Sequence, residues 1–437
     1  MIEKVKHSKI AWIGDIPEEW SIKKIKYISK LKGRIGWQGL TSDEYTDEGA
    51  FLITGTDFNN GRINWDTCVH VPMKRWEQAK DIQIENGDLL ITKDGTVGKV
   101  AIVDGLNGPA SLNSGVLRIS TFEGYDRRFL FWVLQSDVFW TWFSYRNAGN
   151  STIIHLYQND FAEFEYPIPP LAEQRAIADY LDNKCSQIES IITDMERQIE
   201  ILQKYKKSLI TETVTKGLNK SVAMKDSGIE WIGKIPNHWK VKRIKHCISL
   251  IGSSTTPESG NTAYYDGDLN WIQSGDLYGR EEITETEKRI TPLAVKTNQA
   301  LKLYEKDFIV IAMYGASVGN VAISKIDAYV NQACCCLKPD KENCLKYMFY
   351  WFVACKDDLI RQSFGGGQPN ISQIKIKNAV YIQSPLEEQH NIVNYLDSKC
   401  TKIDNIITEK MRSIETMQQY KNSLIYEYVT GKKRVIH

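Results

Sequence analysis

Two stretches of this chain repeat apolar residues in steps of four and three, turn after turn. From Leu181 the series runs Cys185, Ile188, Ile192, Met195, Ile199 and Leu202, with Leu209 after Lys206. A second series runs Leu396, Cys400, Ile403, Ile407, Ile414, Met417 and Leu424, interrupted by Lys410 and Lys421. Such spacing puts one apolar seam on each helix, which another helix must cover. Pro170 and Pro385 stand at the expected starts, and Gly217 and Gly431 just beyond the expected ends. From Glu173 to Val214 the first rod would span roughly 63 Å. Two such rods in one chain predict an antiparallel intrachain pair holding two globular blocks at a set separation.

The rods belong to a repeat that spans the chain. AWIGDIPEEWSIKKIK at 11–26 returns as EWIGKIPNHWKVKRIK at 230–245. PLAEQRAIADYLDNKCSQIESII at 170–192 returns as PLEEQHNIVNYLDSKCTKIDNII at 385–407, and YKKSLI at 205–210 as YKNSLI at 420–425. This period is far longer than the 20–50 residues, roughly, of a solenoid repeat, so whole domains are duplicated. Inside the blocks, GTVGKVAIV at 95–103 and GASVGNVAIS at 315–324 predict strand, glycine turn, strand. Residues 127–143 and 344–360 predict apolar helices, with Trp132, Trp140 and Trp142 read as core. RIGWQGLTSDEYTDEG at 34–49 and SSTTPESGNTAYYDGD at 253–268 follow equivalent framework yet share little beyond polarity. Like frames with unlike loops suggest two different surfaces to be read.

At 437 residues the chain exceeds one ordinary core. No apolar run is long enough for a membrane span, and MIEKVKHSKIAWIG lacks a secretory apolar segment, so an intracellular place is expected. Nine cysteines include the adjacent Cys334, Cys335 and Cys336 without a CxxC pair, which predicts buried thiols rather than staples or a zinc site. The 55 Lys plus Arg nearly balance the 54 Asp plus Glu, a poor match to a highly basic nucleic-acid binder. Locally the balance breaks: 21–34 carries Lys23, Lys24, Lys26, Lys30, Lys32 and Arg34 and no acid, and the second copy has Lys240, Lys242, Arg243 and Lys245. Such a field can attract phosphate.

Catalytic signatures do not stand out. A GxxxxGK[ST] phosphate loop is absent, and neither an HExxH zinc motif nor a serine-nucleophile elbow GxSxG is read. Asp88 and Asp94 gather no clean ligand set, and Gly95 to Gly98 and the glycines of FGGGQPN at 364–370 read as loops. Recognition is favoured over chemistry.

The paired WIGxIPxxW openings and PLxEQxxIxxYLDxKC helices closely resemble those of type I restriction–modification specificity subunits. The resemblance implies an α+β fold: two similar α/β target-recognition domains separated by two long antiparallel coiled-coil helices, a pseudo-twofold repeat. The domains would be 1–169 and 217–384, and the helical segments 170–216 and 385–437. It implies a non-catalytic prokaryotic cytoplasmic subunit that binds a bipartite double-stranded DNA target. Two modification subunits would carry S-adenosylmethionine, and two restriction subunits would use ATP and Mg; this chain itself would hold no cofactor or metal. The family's variable blocks carry no portable residue code, so base-reading candidates come from loop position and hydrogen-bonding chemistry. They are Arg34, Gln38, Asn59, Asn60 and Arg62, then Asn270, Gln273, Arg280, Gln368 and Asn370. Lys23, Lys24, Lys242 and Arg243 are phosphate or framework candidates. Leu181, Ile188, Ile192, Met195, Ile199 and Leu202 are expected to pack with Leu396, Ile403, Ile407, Ile414, Met417 and Leu424. The rival reading is a duplicated protein scaffold that never reads DNA.

Overall fold

The computed structural model describes residues 4–34, 40–148, 154–361 and 370–435. Five of its helices carry the argument: α1 (Arg127–Gln135), α2 (Asp137–Arg146), α3 (Leu171–Lys216), α4 (Leu345–Arg361) and α5 (Leu386–Val429). The chain forms two compact units, Met1–Met195 with Arg412–His437, and Glu196–Met411. The division falls inside both long helices, so each unit owns one half of α3 and one half of α5.

In the first unit, four antiparallel strands lie in the order Val100–Ile102, Leu89–Thr92, Val116–Thr121, Ser29–Gly33. A three-stranded sheet joins Ala110–Leu112, Ala50–Ile53 and Val69–Val71. The second unit repeats the plan with Val321–Ser324, Phe308–Ala312, Cys334–Pro339 and Ile248–Gly252, and adds Glu282–Ile283 at the edge. The predicted strand–turn–strand units are present in both: Gly95, Gly98, Gly315 and Gly319 all have positive φ.

The expected single helix over 127–143 is interrupted. Ser136 leaves helical geometry, donates to the Val133 carbonyl at 2.7 Å and caps the Val138 amide. A Ser-Asp pair inside an apolar run is a helix start signal, and here it overrides the apolar periodicity. In the second unit α4 runs unbroken for 17 residues. Trp132 and Trp142 are buried, but Trp140 is 38% exposed, so its assignment to the core does not hold.

The duplicated motifs act as matched clasps. Trp20 and Trp239 are fully buried, and their indole N–H groups donate to Glu173 Oε2 at 3.0 Å and Glu388 Oε2 at 2.9 Å, in the first turns of α3 and α5. Next in sequence, Gln174 and Gln389 each accept a backbone N–H at 2.8 Å, from Asp126 and Cys344. Each amide group also donates back to a carbonyl preceding its own helix, Pro169 or Ser384. Farther along, Asp182 accepts the Trp132 indole N–H at 2.7 Å, and Asp397 accepts the Tyr350 hydroxyl. The recurrent Glu, Gln and Asp of PLxEQxxIxxYLD thus satisfy buried polar groups, which would be costly to leave unpaired.

Each opening motif also receives a helix end. In the first unit, Gly431 (φ +71°) packs where a Cβ would lie 2.4 Å from Pro17 Cδ, Lys432 donates to the Asp15 carbonyl at 2.6 Å, and Tyr426 to that of Trp12 at 2.8 Å. In the second, Gly217 (φ +72°) meets Trp239, and Lys216 donates to the carbonyls of Ile232 and Lys234. WIGxIPxxW occurs twice because two helix C-termini need a socket.

The antiparallel pairing is visible inside each unit. In the first, Leu181, Cys185, Ile188 and Ile192 share a core with Met417, Leu424 and Tyr428, and Tyr180 lies 4.5 Å from Tyr428. In the second, Leu209, Ile210 and Val214 share a core with Ile392, Leu396 and Cys400. Ile403 is buried, while Met195, Ile199, Leu202, Ile407 and Ile414 are half-buried. The lysines that interrupt the seam hold it in register: Lys206 pairs with Asp404 at 2.7 Å, Lys421 with Glu189, and Lys410 donates to Gln198 at 2.6 Å.

Candidate nucleic-acid interface

Past the strand Ala50–Ile53, the first unit makes a short hairpin, Phe58–Asn59 against Arg62–Ile63. Its tip, Asn60 (φ +45°) and Gly61 (φ +78°), has the two left-handed residues that a tight hairpin turn requires. Asp57, 1% exposed, anchors the base: Oδ2 accepts the Thr54 amide at 2.7 Å and hydroxyl at 2.9 Å, and Oδ1 accepts the Thr67 hydroxyl at 2.9 Å. The Gly61 carbonyl accepts the Ile102 amide at 3.0 Å, and Gly61 itself lies against the Phe131 ring.

The second unit has a similar Asp-anchored loop, built on a 3-10 turn at Ser274–Leu277 and, among the described residues, without the strand pair. Asp276, 5% exposed, accepts the Gln273 amide at 2.8 Å and the Glu287 amide at 3.1 Å, and Gly279 (φ +68°) turns the chain before Arg280. DFNNGR at 57–62 and DLYGR at 276–280 therefore occupy matching places. The sequence reading missed this pair, because one residue is lost between Asp and Gly and the intervening residues differ. The shared signal was an Asp before a Gly-Arg pair.

Each Asp-anchored loop borders a cavity within its own unit. A space of about 520 Å³ separates the first hairpin from the 95–98 turn, lined by Asn59, Asn60, Thr96, Lys99, Gln135 and Trp140. The Trp140 ring covers Gly98, where a Cβ would approach within 2.4 Å. In the second unit a cavity of about 580 Å³ includes Gln203, Lys206, Arg280, Glu281, Asn320 and Lys356. It is richer in charge. Burial opposes charge on Lys206, but its hydrogen bond to Asp404 and the nearby Glu281 hold its pKa above the ordinary value. Burial lowers that of Lys356, which donates to Asn320 at 2.6 Å.

The candidate readers lie in different settings. Asn59, Asn60 and Arg62 are exposed together on the first hairpin. Arg280 is exposed on the second unit's Asp-anchored loop, with a long 3.4 Å contact to the Glu285 carbonyl. Gln273 starts that loop, and Asn270 donates to the Asp327 carbonyl at 3.1 Å from the strand Tyr265–Ile272. Asn370 is exposed and bridges to Tyr314. Arg34 is 6% exposed and donates from Nε to the Leu112 carbonyl at 2.8 Å and from Nη2 to Ser111 at 3.4 Å. Gln38 and Gln368 lie outside the described residues.

Lys23 and Lys24 lie on Ser21–Lys24, paired with Glu165–Ile168, the strand that leads into α3. Lys23 donates to the Tyr125 hydroxyl at 2.7 Å, and Lys24 pairs with Glu163 at 2.8 Å. In the second copy, Arg243 donates to the Asn378 carbonyl at 2.8 Å, and Lys242 lies 3.8 Å from Glu342.

Among the described residues, no cluster of three His, Cys, Asp or Glu side chains could hold a metal ion, and no helix is long and apolar enough to cross a membrane. Asp94 pairs with His155 at 2.7 Å and Asp88 caps the Glu85 amide at 3.0 Å. Contrary to the sequence reading, Gly315, Ser317 and Gly319 do spell GxSxG. The turn joins antiparallel strands Phe308–Ala312 and Val321–Ser324, whereas a nucleophile elbow joins a strand to a helix. The cysteines are free, and all but the partly exposed Cys344 are buried; burial pushes Cys185 and Cys335 up to about 12.

Comparison with known proteins places this architecture. The putative type I restriction enzyme MjaX specificity subunit of Methanocaldococcus jannaschii is 26% identical, over 99% of this chain and 98% of its own. The EcoBI specificity subunit of Escherichia coli is 22% identical over 88% of this chain and 80% of its own. Among solved structures, one described under complex assembly and conformational transition of the type I R-M system has a TM-score of 0.73 at 16% identity, covering 96% of this chain and 99% of that one. The HsdS subunit from Thermoanaerobacter tengcongensis has a TM-score of 0.52 at 15% identity, covering 96% and 98%. Both halves, residues 17–207 and 236–416, match the type I restriction modification DNA specificity domain, and the chain belongs to that family.

Proposed function

We propose that this chain recognises a bipartite double-stranded DNA target for a type I restriction–modification enzyme, each domain reading one element. The carrying observation is that each half separately matches the DNA specificity domain while exposing different polar side chains on one shared framework. As a member of its family the chain is the non-catalytic component. Its partners in this reading are two modification subunits bringing S-adenosylmethionine and two restriction subunits bringing ATP and Mg. Prokaryotic cytoplasm is the setting.

Asn59, Asn60, Arg62, Asn270, Gln273, Arg280 and Asn370 remain base-reading candidates. The burial of Arg34 favours a framework task, as do the protein partners of Lys23, Lys24, Lys242 and Arg243. A near-neutral chain suits shared phosphate neutralisation, with partner subunits supplying part of the positive charge. Mapping methylated adenines in host DNA with and without this gene tests the reading. Two short elements at constant spacing should vanish from the methylation pattern on deletion; an unchanged pattern refutes it.

A further inference from the structure

We infer that the Asp-anchored loops are the base-reading elements of the two domains, with Arg62 and Arg280 as corresponding specificity-determining residues. This rests on the reading of the chain as a DNA-recognition subunit and narrows it to one loop per domain. Three observations support it. First, Asn59, Asn60 and Arg62 form no side-chain hydrogen bond or ion pair among the described residues, whereas the basic candidates Lys23 and Lys24 of the same unit are engaged. A hairpin serving stability alone has no need of three exposed directional groups at its tip.

Second, the loop is fixed in shape. Asp57 holds its base, the Gly61 carbonyl is tied to Ile102, and Gly61 rests on Phe131. Readout demands side chains carried on such a preorganised support. A two-stranded ribbon such as Phe58–Asn59 against Arg62–Ile63 fits the DNA major groove, where Arg addresses guanine and Asn addresses adenine through paired hydrogen bonds. Third, the second domain retains the buried Asp, the left-handed glycine and the arginine but replaces Asn59 and Asn60 by Tyr278, 79% exposed. Glu281 is held by Lys206 at 3.1 Å, which leaves Tyr278 and Arg280 to face a ligand. The scaffold persists while the reading groups change, as two unlike half-sites require.

The test uses the full chain assembled with its modification subunit, selecting from duplexes randomised across both target elements. Arg62→Ala should weaken preference at one base pair of one element by roughly 5- to 150-fold and leave the other element intact. Arg280→Ala should do the reverse. Asn59→Ala should relax a position near that of Arg62, which keeps the test decisive if one variant fails to assemble. Unchanged preference at every position would overturn the inference, as would uniform loss of affinity with the motif retained, the mark of a phosphate contact. Failure of the unaltered complex to select any motif would instead remove the DNA-recognition reading beneath it.

Discussion

Replacing Gly431 by alanine tests how the first unit is closed. Two costs are separable. At φ +71° an L-residue pays about 1–2 kcal/mol for left-handed backbone. The new Cβ would also lie 2.4 Å from Pro17 Cδ and 2.7 Å from Cγ, well inside contact distance and against a rigid ring. Relieving such overlap costs about 1–3 kcal/mol more. Gly124 provides the control, since its φ is +91° and nothing lies within 4 Å of a Cβ there. Gly124→Ala should incur only the backbone cost; Gly431→Ala should exceed it by the steric part. Gly217→Ala should fall between them, because its nearest neighbour is the Trp239 ring at 3.0 Å. Urea unfolding followed by circular dichroism and tryptophan fluorescence measures all three. If Gly431→Ala destabilises no more than Gly124→Ala, the helix end is not seated on the opening motif and the clasp account is wrong.

Other consequences are smaller but specific. A double-mutant cycle on Lys421 and Glu189 should give a coupling of about 0.5–1 kcal/mol, with a similar value for the equivalent Lys206 and Asp404; zero coupling in both would mean these pairs do not set register. Hydrogen bonds from Lys24 and then Lys26 hold the Glu163 carboxyl down to about 2. The contribution of this depressed acid is present above the ordinary carboxylate value and lost as pH falls through about 2, so an NMR titration midpoint near 4 would contradict the ion pairs. Native alkylation should label Cys344 well before the other cysteines, which become reactive only on unfolding; early labelling of Cys185 or Cys400 would place the helix seams in solvent.

The elements that sequence disclosed best were those with a local rule. A four-and-three stripe can be buried only against another stripe, so α3 and α5 were legible, and so were the glycine turns with positive φ. The repeated motifs were visible as letters, but their meaning was not. That Trp20 and Trp239 donate to a glutamate in the first turn of a helix distant in sequence depends on tertiary placement. Lys206 and Lys421 looked like breaks in a seam and instead form cross-helix ion pairs. Arg34 shows the opposite failure, since a basic residue at a loop start gives no local sign that its guanidinium will be buried against the strand Ala110–Leu112. The Asp-anchored loops escaped because their likeness resides in a buried carboxylate and a left-handed glycine, while their exposed residues differ.

The most direct measurement of the central claim exchanges the block of one domain that lies between two framework strands. Residues 253–333, carried on the framework strands Ile248–Gly252 and Cys334–Pro339, would be replaced by the matching segment of the Methanocaldococcus jannaschii relative, and methylated adenines mapped in the host. The account predicts that one element of the methylated target changes and the other is kept. Change in both elements, or in neither, would contradict it.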